Sequence, residues 1–176
     1  MFCIINRGIH EEEDKMKYKD ITERYNTKKH YQIKEQKHFI NENGTKYNID
    51  GRYVLLKTTQ EEKEIANILG QTLGGKVKLV PVVLEPKGIQ TPDYIINNKK
   101  FDLKQIIGNG NNTLDTAINK KRKQSDNFVF DITKTEMSVE QALLQIERIY
   151  NAKNRTWVNT IILIKDKKVL RIFKRK

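Results

Sequence analysis

Residues Thr91 to Ile106 read TPDYIINNKKFDLKQI, and this stretch decides how the rest of the chain is arranged. Tyr94, Ile96, Phe101 and Leu103 alternate with polar residues at the strand period, on either side of Asn97-Asn98. Asparagine tolerates the positive φ that a two-residue turn needs at both central positions, so the stretch predicts a tight β-hairpin. That turn sets a register: Ile96 opposite Lys99, Ile95 opposite Lys100, Tyr94 opposite Phe101, and Asp93 opposite Asp102. Two carboxylates would then face each other with Cβ atoms roughly 4.5–5.5 Å apart, where like charges destabilise a sheet. Lys104 lies two residues beyond Asp102 and points to the same face.

Such a pair is costly unless a cation sits between the acids, and a divalent metal with oxygen ligands is the usual solution. The plainer reading is a solvated polar face on which Lys100 and Lys104 neutralise the acids.

Before the hairpin, Thr59 to Leu73 predicts a helix. Thr59 and Glu62 have capping-box spacing, Gly74-Gly75 ends it, and Ile65, Ile68, Leu69 and Leu73 form its buried stripe. Lys76 to Leu84, KVKLVPVVL, predicts a central strand with a bend or edge at Pro81. After the hairpin, Gly108 to Asn112 is a loop without phosphate-loop spacing. It leads into an expected helix over Thr113 to Asp126, packed through Leu114, Ala117 and Ile118. Lys121 continues that face, whereas Lys120, Arg122 and Lys123 face outward as a candidate phosphate-contacting patch. Phe128 to Ile132 predicts a buried strand, Ser138 to Tyr150 an amphipathic helix, and Thr160 to Phe173 a closing hairpin.

The first part of the chain is more polar. Ile9 to Lys37 reads as a solvated or loosely helical lead-in, its charges alternating in sign. From Tyr31 to Lys57, Asn43-Gly44 and Asp50-Gly51 separate short apolar runs and predict a small β-meander. The expected organisation is thus an extension over residues 1–58 and a principal domain over 59–176, within a length that suits one real core.

Lys and Arg number 34 against 22 Asp and Glu, a net charge of +12, which favours a polyanionic partner and nucleic acid above all. No run approaches the roughly 18 apolar residues of a membrane span. The single cysteine, Cys3, excludes an internal disulfide.

Pro92-Asp93 followed by Asp102-Leu103-Lys104 resembles the PD-(D/E)xK nuclease superfamily. More narrowly, TPDYIINNKKFDLK is similar to the tRNA-cleaving toxin domains at the C-terminus of CdiA contact-dependent inhibition proteins, and to related tails of phage minor-head proteins. The resemblance runs from about Thr59 to the C-terminus. It implies an α/β (α+β) fold with a restriction-endonuclease-like αβββαβ core, a mixed central sheet, and additions at both ends.

It also implies roles. Asp93 and Asp102 would hold Mg²⁺, Mn²⁺ or Zn²⁺, with Glu64, or else Glu62, bringing a further carboxylate from the preceding helix. Lys104 would orient or activate water, and Lys121 would be a catalytic lysine at the phosphate. The substrate would be tRNA or another nucleic acid, and an acidic immunity protein would block the site. The setting would be the bacterial cytoplasm, reached from another cell or with a phage head. Metal-independent RNases of the barnase, EndoU, colicin and RelE type, a phage DNA endonuclease, and a non-catalytic nucleic-acid-binding module are the alternatives.

Overall fold

The structure, a computed structural model, describes residues 16–25, 29–122 and 124–176. Cys3, residues 9–15 of the lead-in, and Lys123 of the outward patch lie outside the described residues. The strands are β1 (Tyr18–Asp20), β2 (Tyr31–Glu35), β3 (His38–Ile40), β4 (Lys46–Asn48), β5 (Val54–Leu55), β6 (Gly75–Leu79), β7 (Val82–Val83), β8 (Tyr94–Ile96), β9 (Lys99–Gln105), β10 (Asn127–Asp131), β11 (Thr160–Lys165) and β12 (Lys168–Arg175). The helices are α1 (Gln60–Leu73), α2 (Thr113–Ile118) and α3 (Val139–Asn151).

One mixed sheet runs β1-β12-β11-β10-β9-β8-β6-β2. Its centre is parallel, β9 beside β10 beside β11, and antiparallel pairs flank it at β8–β9 and β11–β12. The central hairpin has the expected register, Tyr94 with Phe101 and Ile96 with Lys99, around Asn97 and Asn98 at φ 48° and 67°. The mixed α/β architecture is the one the sequence predicts.

Side-chain alternation gives the sheet two apolar faces. Phe128, Phe130, Ile161 and Leu163 pack with Leu114 and Ile118 of α2 and Ile146 and Ile149 of α3. Val129, Ile162 and Ile164 turn the other way, with Phe101 and Leu103, onto Ile65, Ala66 and Leu69 of α1. Phe101 and Leu103 therefore anchor β9 on the α1 side, and the intervening Asp102 and Lys104 emerge on the α2 side. Both long helices start at reciprocal caps, Thr59 with Glu62 and Ser138 with Gln141.

Three expectations are corrected. The run Lys76 to Leu84 is two strands, because the chain leaves the sheet after Leu79 and Val82–Val83 pair with β5 instead. The pieces between Tyr31 and Lys57 do not form one meander: β2 joins the main sheet beside β6, β3 and β4 pair together, and β5 pairs with β7. Within the described lead-in, Tyr18 to Asp20 is the edge strand beside β12, and Ile21 is buried in the core rather than solvated. Each segment is too short to declare itself, and its partner is far away in sequence. The sheet consequently crosses the expected boundary at residue 58, since β1 and β2 form its two edges.

Helix α2 is held from outside. Buried Gln145 accepts the Leu114 N–H at 3.0 Å and donates to the Gly110 carbonyl at 3.0 Å, and Arg155 grips Asp115 through two N–H donors at 2.6 and 2.9 Å. Gln145→Ala strands a buried donor at the start of α2 and is expected to lower unfolding free energy by about 1–3 kcal/mol. Urea denaturation followed by circular dichroism measures this, and an unchanged midpoint would remove Gln145 as the anchor.

Candidate active site

Asp93 sits one residue before β8, where the hairpin ladder stops. Continued pairing would offer the Leu103 N–H to residue 92; instead the Asp93 carboxylate takes that N–H at 2.6 Å. The Asp93 carbonyl meanwhile accepts the Val80 N–H at 3.1 Å. Asp93 is thus drawn towards β9, with its carboxyl within hydrogen-bonding reach of that of Asp102. The expected juxtaposition is present, made by a side chain rather than by a ladder pair.

Asp102 is fully buried. Its Oδ1 accepts from Gln124 Nε2 at 2.7 Å, and its Oδ2 faces the Lys104 ammonium in an ion pair while taking no directional hydrogen bond. Burial, then the negative charge of Asp102, push the Asp93 carboxyl up to about 7, against the opposing pull of the Leu103 N–H. Two adjacent carboxyls served by one ammonium, that of Lys104, are the electrostatic arrangement that a further cation relieves. They fit an ion that uses one or two carboxylates and completes its shell with water and substrate phosphate.

Gln124 and Lys121 reach this place because α2 is shorter than its sequence pattern. The expected helix to Asp126 ends at Ile118; Asn119 is extended and Lys120 has φ 64°. The chain folds back in a turn in which Gln124 and Ser125 donate their N–H groups to the Lys121 carbonyl at 2.8 and 3.2 Å. The Ser125 hydroxyl and Asn127 amide then clamp this turn to the Lys100 carbonyl, each at 2.8 Å. Gln124 Nε2 also donates to the Thr91 carbonyl at 2.7 Å and so bridges the entry of β8 and the middle of β9.

A cleft of about 260 Å³ opens beside Asp93, with Lys57, Glu62, Val82, Ile89, Lys121 and Gln124 among its lining residues. Lys121 therefore joins the site from a turn, not from a helix face. Lys120 and Arg122 are exposed beside it. Glu64 is not brought to this cleft: it pairs with Lys167 at 3.1 Å and lines a different cavity, with Asp131 and Lys134. Glu62 lines the Asp93 cleft, but one of its oxygens is engaged by the Thr59 N–H at 2.7 Å. Among the described residues, no three acidic, histidine or cysteine side chains form a metal-binding group.

Lys57 and the bridging role of Gln124 escape the sequence reading. Lys57 comes from the segment read as an extension. Gln124 stands three residues after Lys121, beyond the end of α2, and reaches Asp102 only through the turn that follows the helix.

Because folding raises the Asp93 carboxyl, the folded state holds a proton that the unfolded chain has released. The corresponding stability is present below about pH 4 and is lost as pH rises towards about 7. Asp93→Asn is expected to flatten this slope and to raise stability at pH 8 by about 1–3 kcal/mol. Denaturation of both proteins at pH 5 and pH 8 checks it; parallel slopes would mean the carboxyls are not coupled.

A search of curated proteins finds no match. Among solved structures, a chain of the CdiA-CT/CdiI toxin and immunity complex from Burkholderia pseudomallei is similar, with 23% sequence identity and a TM-score of 0.44 over 68% of this chain and 90% of that one. Residues 90–169, which hold Asp93, Asp102, Lys104, Lys121 and Gln124, match the family of the contact-dependent growth inhibition CdiA C-terminal domain.

Proposed function

We propose that this chain is a nuclease toxin domain that hydrolyses phosphodiester bonds in RNA, with tRNA as substrate, using a PD-(D/E)xK-type site. The observation that carries this reading is the pair of adjacent carboxyls, Asp93 and Asp102, beside a cleft that Lys57 and Lys121 also line. A protein of net charge +12 attracts a polyanion to that cleft. The match of residues 90–169 to the CdiA C-terminal domain family supports the toxin part of the reading.

Asp93 and Asp102 would hold a divalent cation, Mg²⁺, Mn²⁺ or Zn²⁺, which when bound supplies Lewis-acid stabilisation of phosphate charge and acidifies water. Lys104, already against Asp102, orients the attacking water or stabilises charge growing on the phosphorane. Lys121 neutralises the scissile phosphate from the cleft wall. Gln124 fixes the rotamer of Asp102 so that its second oxygen faces Lys104. Lys120, Arg122 and Lys123 contact the flanking phosphates and position the substrate without reading its sequence.

In this reading the domain is delivered from another cell and acts in the bacterial cytoplasm. A cognate immunity protein with an acidic contact surface covers the cleft, and complementarity with the net charge of +12 speeds their association. No helix among the described residues is long and apolar enough to cross a membrane.

Purified protein incubated with total tRNA and with plasmid DNA, each with Mg²⁺ or with EDTA, tests the reading. Metal-dependent tRNA cleavage is expected, reduced at least about a thousandfold in Asp93→Ala, Asp102→Ala and Lys104→Ala with native circular dichroism retained. Cleavage that persists in EDTA would transfer the assignment to a metal-independent RNase, and cleavage of DNA alone to a DNA endonuclease. Binding without scission would leave a nucleic-acid-binding module. Mn²⁺ is also expected to raise the melting temperature of the wild type but not of Asp102→Asn, a readout independent of turnover.

A further inference from the structure

The two-stranded ribbon of β5 and β7 stands at the mouth of the cleft. Val54 and Val83, cross-strand partners, are buried on a small core with Phe39 and Val80. Alternation turns the neighbouring pairs to the opposite face: Leu55 beside Val82, and Tyr53 beside Leu84, whose N–H bonds the Tyr53 carbonyl at 2.7 Å. Tyr53, Val82 and Leu84 are 40%, 37% and 40% exposed and together form an apolar patch. Val82 also lines the cleft with Asp93, so patch and cleft are continuous.

The aromatic ring is held ready. Asp50 Oδ1 accepts the N–H groups of Arg52, Tyr53 and Val54 at 2.8, 2.7 and 2.9 Å, which fixes the turn that presents it. The Arg52 guanidinium lies 4.6 Å from the Tyr53 ring centre. A planar aromatic side chain backed by a guanidinium, on a fixed turn beside a cleft that Lys57 and Lys121 line, is the arrangement that stacks unpaired bases. A phosphodiester held at Asp93 sends its flanking nucleosides out along the cleft walls, and one of those walls is Val82 and Ile89.

We propose that Tyr53, with Arg52, Val82 and Leu84, forms a stacking platform for an unpaired nucleobase next to the cleaved bond, making single-stranded nucleic acid the preferred substrate class. This rests on the nuclease reading of the cleft. It places the selectivity for looped or unpaired strands on the segment before α1.

The test is fluorescence titration of single-stranded RNA carrying 2-aminopurine, and of the same strand in a duplex, against the Asp102→Asn protein in EDTA, with and without Tyr53→Ala, Tyr53→Phe and Leu84→Ser. Single strands are expected to bind more tightly than duplex and to show a stacking-dependent change in base fluorescence. Tyr53→Ala should weaken single-strand binding about tenfold, Leu84→Ser less, and Tyr53→Phe hardly at all, with duplex binding unaltered. Tyr53→Ala binding single strands like its parent overturns the platform and leaves the nuclease reading intact. An Asp102→Asn protein that binds no strand, together with a wild type that cleaves none, overturns both.

Discussion

Two carboxyl groups brought together away from bulk water repel, and neither has the solvation it would have outside. Everything around Asp93 and Asp102 is arranged to hold them there nonetheless. The Leu103 N–H and the Gln124 amide each donate to one of them, Lys104 faces the buried oxygen of the other, and Asp93 responds by retaining a proton to near neutrality. The neighbouring apolar residues keep the strand from shifting away from this conflict. Phe101 and Leu103 are locked into the α1 face, so Asp102 cannot turn from Asp93 without pulling large side chains from the core.

The hairpin was legible in the sequence because its information is local. Alternation and an Asn-Asn turn fix register within a dozen residues, and the pairing of Tyr94 with Phe101 follows. The cap of α1 was legible for the same reason, since Thr59 and Glu62 complete their hydrogen bonds within one turn. What could not be read there depended on partners distant in sequence. Helix α2 has an apolar stripe that stops at Ile118, and the clamp of Ser125 and Asn127 on the Lys100 carbonyl draws the polar chain beyond it back towards β9. The short strands β1, β2, β5 and β7 have too few residues for a period to declare itself.

The candidate site divides along the same line. Asp93, Asp102 and Lys104 were named by a spacing that the hairpin converts directly into proximity. Glu64 was named by analogy with a position on a helix, and α1 turns it to Lys167 instead. Lys121 reached the cleft by a route other than the one its spacing suggested, because an early helix end followed by a tight turn delivers it to the same wall.

The topology also bears on synthesis. Strand β12 is paired on one side by β11 and on the other, among the described residues, by the three residues of β1. Until β12 has left the ribosome, β1 has no strand to pair with and the hydrogen-bonding edge of β11 is bare, a row of unpaired amides and carbonyls on a run of four consecutive buried aliphatic residues, Ile161 to Ile164. A nascent chain of this kind is a target for self-association or for a chaperone.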